Sequence, residues 1–379
     1  MKKFATILTL ATLALPVSAL HASEIVKIKL SDGETMTGKL DLPPGGGDVR
    51  ELVMFIAGTG PNTYINHRKL GNAEFNYFDL FVDEFGKRGV GFFAYNRRGV
   101  EIGDTPPYYD TVDKEKYKKY LPGIEVKDIG TAIAHLRGDA RLKTAKIVLL
   151  GWSEGTILAA MAAENADNKI AALLLAGYAH ENMSDIIKWQ LSGEPSIINI
   201  RKYFDVDKDN IITKSEYEAA AAAATYMRTN VFKDAKFEEI DVNKDGKIDS
   251  ADFKIINSGK LQAVLSAIEK NDDAWIWANY FRITTAWLKE YFALESNKTR
   301  LLRIDIPIYV FHGEDDANAS VAGVLDLKDR FAQKNKTNLQ CFVFKGHDHD
   351  LNYMLWPVKK TISEGIQKIF DAAGEIAGR

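Results

Sequence analysis

Glu24 to Leu30 alternates apolar and polar residues, Ser31-Asp32-Gly33 is a turn signal, and Thr35 to Leu42 alternates again. This predicts an antiparallel hairpin with one buried face. Pro43-Pro44-Gly45-Gly46-Gly47 then punctuates the chain. Leu52 to Ala57 is instead a continuous apolar run, and Gly91 to Tyr95 and Lys146 to Leu150 behave likewise. Runs of this kind suit strands buried on both faces of a parallel sheet. Between them, Phe78 to Arg88 and Ile124 to Arg137 carry helical spacing, so the order reads β-α-β-α-β. Ile170 to Leu175, Ile308 to Phe311 and Gln340 to Phe344 predict three further strands, and Val358 to Ala377 a closing helix. From about Ala179 to Leu301 no comparable apolar run occurs, which predicts a mostly helical insertion between two strands. The fold class expected is α/β, a mostly parallel sheet flanked by helices and carrying a helical cap.

With 379 residues, 46% of them hydrophobic, the chain can bury a sizeable core. A formal charge of −3 without a long Lys/Arg run argues against nucleic acid as a partner. Met1-Lys2-Lys3, the apolar stretch Phe4 to Leu20 and the small residues Ser18, Ala19 and Ala22 are read as a secretory signal peptide over 1–22, cleaved after Ala19 or Ala22. An uncleaved anchor is the alternative; the stretch is short and interrupted by Pro16. The expected location is periplasmic or secreted, with no stable membrane insertion once the signal is removed. Cys341 is the single cysteine and sits in an apolar run, so stability rests on packing and metal rather than on disulfides.

The strand Lys146 to Leu150 runs directly into Gly151-Trp152-Ser153-Glu154-Gly155, and an Ala-rich, helix-permissive stretch follows. Gly-x-Ser-x-Gly between a strand and a helix is a nucleophile elbow. The sharp turn strains the central residue and exposes its hydroxyl, and the glycines remove side chains that would clash. Ser153 is the expected nucleophile.

The insertion carries two acidic loops. Asp205, Asp207, Asp209, Thr213 and Glu216 occupy loop positions one, three, five, nine and twelve, with the Ile211 carbonyl at seven. Calcium collects roughly six to eight hard oxygens around one point, and this loop resembles an EF-hand calcium loop at every ligand position. Position six usually needs glycine for a sharp turn; here it is Asn210, a residue that tolerates left-handed backbone. The second loop offers Asp241, Asn243, Asp245, the Lys247 carbonyl, Asp249 and Asp252, with Gly246 at position six. Aspartate replaces glutamate at its last position, and the shorter arm predicts weaker binding or a smaller ion. The loops start 36 residues apart, at Asp205 and Asp241. That offset resembles paired EF-hands, which implies that Ile212 and Ile248 pair across a two-stranded bridge. Phe204, Tyr217, Ile240 and Phe253 would then pack the flanking helices. The second loop also resembles a dockerin repeat, which leaves a docking partner open. An internal position favours a structural or regulatory calcium-binding cap.

The elbow, the strand order and the loops after the last strands together resemble an α/β-hydrolase over most of the chain, the insertion excepted. That family orders its triad Ser, acid, His. The resemblance implies Asp316 as the acid in Gly313-Glu314-Asp315-Asp316, with Asp315 and Glu314 as alternatives. It implies His349 as the base in Gly346-His347-Asp348-His349, with His347 as the alternative. The oxyanion donors it implies are the backbone amides of Glu154 and of Thr59 in Gly58-Thr59-Gly60-Pro61. Gly60 stands as the alternative, because Ala57 replaces the family's usual histidine. Asn96-Arg97-Arg98-Gly99 resembles a family turn that begins with aspartate and is read as support beside the site.

The organisation expected is a leader at 1–22, core at 23–178, a helical cap at 179–301 with the EF-hand-like pair at about 200–260, and core again at 302–379. Trp275, Trp277, Tyr280, Phe281, Trp287, Tyr291 and Phe292 would place aromatic surface over the catalytic edge or pack the cap against the core. No cluster of Arg or Lys marks a charged substrate. The function expected is an exported serine hydrolase that cleaves carboxylic esters of small molecules or acyl groups, with no cofactor for catalysis. A peptidase or thioesterase on the same triad and a non-catalytic calcium-dependent binding protein are the alternatives.

Overall fold

The central sheet of the computed structural model has eight strands. They are β1 (Ala22–Lys29), β2 (Thr35–Leu42), β3 (Glu51–Ile56), β4 (Gly91–Tyr95), β5 (Lys146–Trp152), β6 (Ile170–Ala176), β7 (Ile308–Gly313) and β8 (Leu339–Phe344). Their spatial order is β1-β2-β4-β3-β5-β6-β7-β8. β2 runs antiparallel to both β1 and β4, and the strands from β4 to β8 are mutually parallel. Residues 22–45, 49–219 and 222–378 are described. The expected leader lies outside them except for Ala22, which opens β1.

Continuous apolar runs become central strands because each face of the sheet needs every second residue. Leu52, Met54 and Ile56 of β3 with Ile147 and Leu149 of β5 enter one core. Val53, Phe55, Val148, Leu150 and Trp152 enter the other. Helix α1 (Asp79–Lys87) covers the second face, while α2 (Pro122–Arg137) and α3 (Gly155–Ala163) cover the first.

Between β6 and β7 the chain runs through α4 (Met183–Gln190), α5 (Glu194–Phe204), α6 (Ser250–Lys270), α7 (Asp273–Asn279) and α8 (Thr285–Ala293). This region divides in two by its packing. Ile187, Val264, Ile276, Trp287 and Leu288 join the first core, so α4 and α6 to α8 are fused to the sheet body. The acidic loops and their flanks keep a small core of their own, including Phe204, Ile212, Tyr217, Ile240, Ile248 and Phe253. α9 (Val321–Gln333) then returns to the first face and α10 (Glu364–Gly378) to the second. No helix among the described residues is long and apolar enough to cross a membrane.

Two local features differ from the sequence expectation. The closing helix does not run from Val358: a short helix, Leu355–Lys359, stops at Lys360 in left-handed backbone with φ 56°, and α10 starts only at Glu364. There the Ser363 hydroxyl accepts from the Ile366 amide at 3.3 Å, a start signal that apolar spacing alone does not carry. Two small hairpins also stand beside the sheet, His67–Leu70 with Ala73–Asn76 and Val100–Ile102 with Asp110–Val112. Their strands are too short and polar to show alternation.

Candidate active site

Ser153 follows β5 directly and has φ 56°, a left-handed conformation that costs a non-glycine residue roughly 1–2 kcal/mol. Surrounding contacts fix it there. The Ser153 amide donates to the Ala176 carbonyl of β6 at 2.9 Å. A Cβ on Gly155 would lie 2.0 Å from the Ile56 carbonyl oxygen, and one on Gly151 2.4 Å from the Gly155 carbonyl oxygen. The elbow glycines are therefore set by the close approach of backbone on both sides.

β7 delivers the acid and the loop after β8 the imidazole. His349 Nδ1 donates to Asp316 Oδ2 at 2.7 Å, which leaves Nε2 as the ring's open nitrogen. Asp316 is buried, and its other oxygen accepts from the amides of Asn318 and Ala319 at 2.7 and 2.8 Å. Burial by itself raises the Asp316 pKa, but the charge and hydrogen bond of His349, helped by the Ala319 amide, bring it below the ordinary carboxylate value. For His349, burial pulls the pKa down; the charge and hydrogen bond of Asp316, with Asp350 and Asp348 adding, outweigh it and hold the imidazole above its ordinary value. Of the alternatives, Asp315 binds Arg201 and His347 Nδ1 lies against the Lys345 carbonyl, so neither joins this pair. Glu314 is exposed.

A second buried imidazole, His312 at the end of β7, lies 3.5 Å from Asp316 Oδ2. Its Nδ1 accepts from the Tyr178 amide at 3.1 Å and its Nε2 donates to the Ala319 carbonyl at 3.0 Å, an arrangement that requires the neutral ring. Burial lowers its pKa, so the pair keeps a single imidazole free to change charge.

The loop after β3 is held from behind. The buried Arg97 guanidinium donates to the carbonyls of Ala57 at 2.8 Å, Gly58 at 2.5 Å and Gly60 at 2.8 Å, and Asn62 adds bonds to Gly58 and Gly60. With those carbonyls turned to Arg97, the Thr59 and Glu154 amides donate to no acceptor among the described residues. Arg97 also stacks 4.3 Å over the Tyr120 ring and lies 3.5 Å from Glu154 Oε2. The Glu154 carboxylate is buried and accepts from the hydroxyls of Tyr120 and of Tyr291 in α8. One cationic group thus ties both segments offering free amides, and Tyr291 fastens the cap to the elbow. The sequence marks Arg97 only through its turn motif; its reach to three carbonyls is tertiary.

Ser153, Thr59, His349 and Asp350 open on one cavity of about 320 Å³. The Ser153 hydroxyl makes no hydrogen bond to His349 among the described residues. Met183, Ile187, Tyr280, Phe281, Ile283 and Trp287 give the cavity an apolar wall from the cap, and Asn66, Arg68 and Tyr77 a polar one. Only part of the aromatic stretch reaches it: Trp275, Trp277 and Phe292 pack against the first core, and Tyr291 is taken by Glu154. Arg68 lies in His67-Arg68-Lys69 on a short hairpin that apolar spacing does not predict, and only the tertiary structure brings it to the cavity.

In the first acidic loop, carboxylate oxygens of Asp205, Asp207 and Asp209 lie within 4.8 Å of one another, a spacing one calcium ion can span. Glu216 folds back, accepting from the amides of Val206 and Thr213 at 2.9 Å each. Position six is left-handed in both loops, φ 68° at Asn210 and 86° at Gly246. Ile212 pairs with Ile248 in the two-stranded bridge. In the second loop Asp241 accepts from the amides of Asp245 and Gly246, and Asp252 from those of Asn243 and Asp249. The Asp249 side chain instead caps α6 through the Ala251 amide at 2.7 Å. Arg201 joins the first loop to the sheet body: it donates to Asn210 Oδ1 at 2.7 Å and pairs with Asp315, next to Asp316.

The EF hand family model matches residues 233–256, which contain the second loop. Three solved structures align over nearly their whole lengths. A lipase in its open form shares 13% identity, with 94% of this chain and 100% of that chain covered and a TM-score of 0.54. A highly thermostable carboxyl esterase from Bacillus coagulans, in complex with glycerol, shares 14%, with 94% and 99% covered and a TM-score of 0.53. A hypothetical protein from Pseudomonas aeruginosa shares 12%, with 98% and 99% covered and a TM-score of 0.50. No curated protein matches in sequence. At such identities the likeness is one of fold, and that fold is the α/β-hydrolase fold with an EF hand in its helical insertion.

Proposed function

We propose that this α/β-hydrolase-fold protein is a serine hydrolase of carboxylic esters. The observation that carries the reading is the left-handed Ser153 at the tip of β5, opening on the same cavity as the Asp316-bonded His349. In the acylation step Ser153 Oγ bonds to the ester carbonyl carbon while its proton passes to His349 Nε2. The carbonyl oxygen takes the negative charge and accepts from the Glu154 and Thr59 amides, each such donor contributing about 3 kcal/mol in comparable sites. Collapse breaks the ester C–O bond, and the departing alkoxide takes the proton from His349. Water then repeats the sequence on the acyl-enzyme, releasing the acid and restoring Ser153.

Asp205, Asp207, Asp209, Thr213, Glu216 and the Ile211 carbonyl would hold calcium in the first loop. Asp241, Asn243, Asp245, Asp249, Asp252 and the Lys247 carbonyl would do so in the second, where Asp252 supplies the shorter arm. Bound there, calcium would neutralise clustered carboxylates and stiffen the loops. We further propose export with cleavage after Ala19, which leaves β1 whole from Ala22.

The test is fluorophosphonate labelling and para-nitrophenyl ester turnover by wild type and Ser153→Ala. Wild type should label and turn over, and the variant should lose labelling and at least ~10³-fold in kcat. Turnover that survives Ser153→Ala sinks the reading.

A further inference from the structure

The cavity beside Ser153 is lined by an arginine that forms no salt bridge with a carboxylate among the described residues. Arg68 lies in the polar wall, half-buried. Its Nη1 donates to the carbonyls of His67 and Tyr108 at 3.2 and 3.1 Å, and its guanidinium lies 5.4 Å from the Tyr108 ring centroid. Nε and Nη2 have no hydrogen-bond partner among the described residues. The nearby carboxylate, Asp110, is taken by Arg282, which grips it from both terminal nitrogens at 2.6 and 3.1 Å. Asp350 also lines the cavity, but His349 is the charged group that acts on it most strongly.

Asn66 adds an independent sign of a missing ligand. It is 8% exposed and lines the same cavity, and its side-chain oxygen has no partner. Its backbone sits at φ 49°, so an amide with open hydrogen-bonding capacity is held in this wall at a conformational cost. Ile187, Phe281 and Trp287 add apolar surface to the same cavity.

An open guanidinium fork presents two parallel N–H groups, the geometry that a carboxylate accepts in bidentate fashion. We propose that the substrate is an acidic ester, one bearing a free carboxylate on an apolar stem, and that Arg68 is the specificity residue that receives this carboxylate. The proposal rests on the ester-hydrolase reading and names its substrate class. A ligand with only apolar groups leaves the fork desolvated and unpaired, and sites built around a buried polar partner discriminate strongly against analogues that lack it.

The test compares kcat/KM within two matched pairs. Mono-para-nitrophenyl adipate against para-nitrophenyl hexanoate puts a carboxylate in place of the terminal methyl of the acyl group. The para-carboxyphenyl against the phenyl ester of hexanoic acid puts it on the leaving group. At least one acidic ester should exceed its neutral partner by about 10-fold or more in kcat/KM. That ratio should collapse toward unity in Arg68→Met, stay partly in Arg68→Lys, and shrink as salt screens the pair. Because each ratio is taken within one variant, a general loss of folded protein cancels. Ser153-dependent turnover with no preference for either acidic ester overturns the proposal and leaves the hydrolase reading standing. A preference unchanged in Arg68→Met overturns the assignment to Arg68. Absence of Ser153-dependent turnover with all four esters removes both readings.

Discussion

At the scale of single residues, the proposed base works from a raised pKa. Only neutral His349 can accept the Ser153 proton, and Asp316, Asp348 and Asp350 all favour the charged ring against the pull of burial. The acid limb of kcat/KM should therefore show an apparent pKa above the ordinary 6.5 or so of histidine. In Asp350→Asn one of those charges is gone, and the limb should move to lower pH; a pH–rate profile of both proteins reads the shift, and an unmoved limb contradicts this role for Asp350. Ser153 could be singled out from its strand–turn–helix motif, and Asp316 and His349 from the resemblance of the loops after β7 and β8 to those of a known family. The open fork of Arg68, the neutral ring of His312 and the grip of Arg97 could not. Each is defined by what its side-chain atoms touch, and those partners come from other parts of the chain.

At the scale of elements, the insertion is two units with different cores, and only the part with α4 and α6 to α8 shares the sheet's core. The EF-hand part has a small core and clustered carboxylates, so its order should depend on calcium. Calcium at about 100 times its dissociation constant stabilises a folded state by ~2.7 kcal/mol. Chelation should lower the melting temperature, and readdition should restore it. Asp205→Ala and Glu216→Ala should each diminish the calorimetric calcium titration, while Asp252→Ala, on the shorter-armed loop, should change it less. Equal titrations for wild type and Glu216→Ala would take the first loop out of the binding set. The loops were legible because every candidate ligand lies within twelve residues; the link from Asn210 through Arg201 to Asp315 was not, since it joins residues 114 apart in the chain on its longer side.

At the scale of the whole molecule, burial of a charged group should appear in the pH dependence of stability. Glu51 enters β3 fully buried, its carboxylate oxygens without hydrogen-bond partners. Burial pushes its pKa up to about 8, with Lys146 opposing. The unfolded chain releases this proton near 4.5, so the native state holds it longer and loses stability as pH rises from there through about 8. Glu51→Gln should raise the melting temperature by a few degrees at about pH 8.5 and change it little at about pH 4.5; the same increment at both would argue against a titrating Glu51. The sequence alone determined the order of the central-sheet strands, the elbow and the acidic loops, because period-two burial, a strained turn and an ion cage are requirements on neighbouring residues. Tertiary structure alone decided the chemistry of the cavity. Tyr291 reaches Glu154 across 137 residues, Arg97 reaches Gly58 across 39, and Arg282 rather than Arg68 takes Asp110. Such pairings depend on how the sheet and cap pack, and no local pattern encodes which side chain is left open to a substrate.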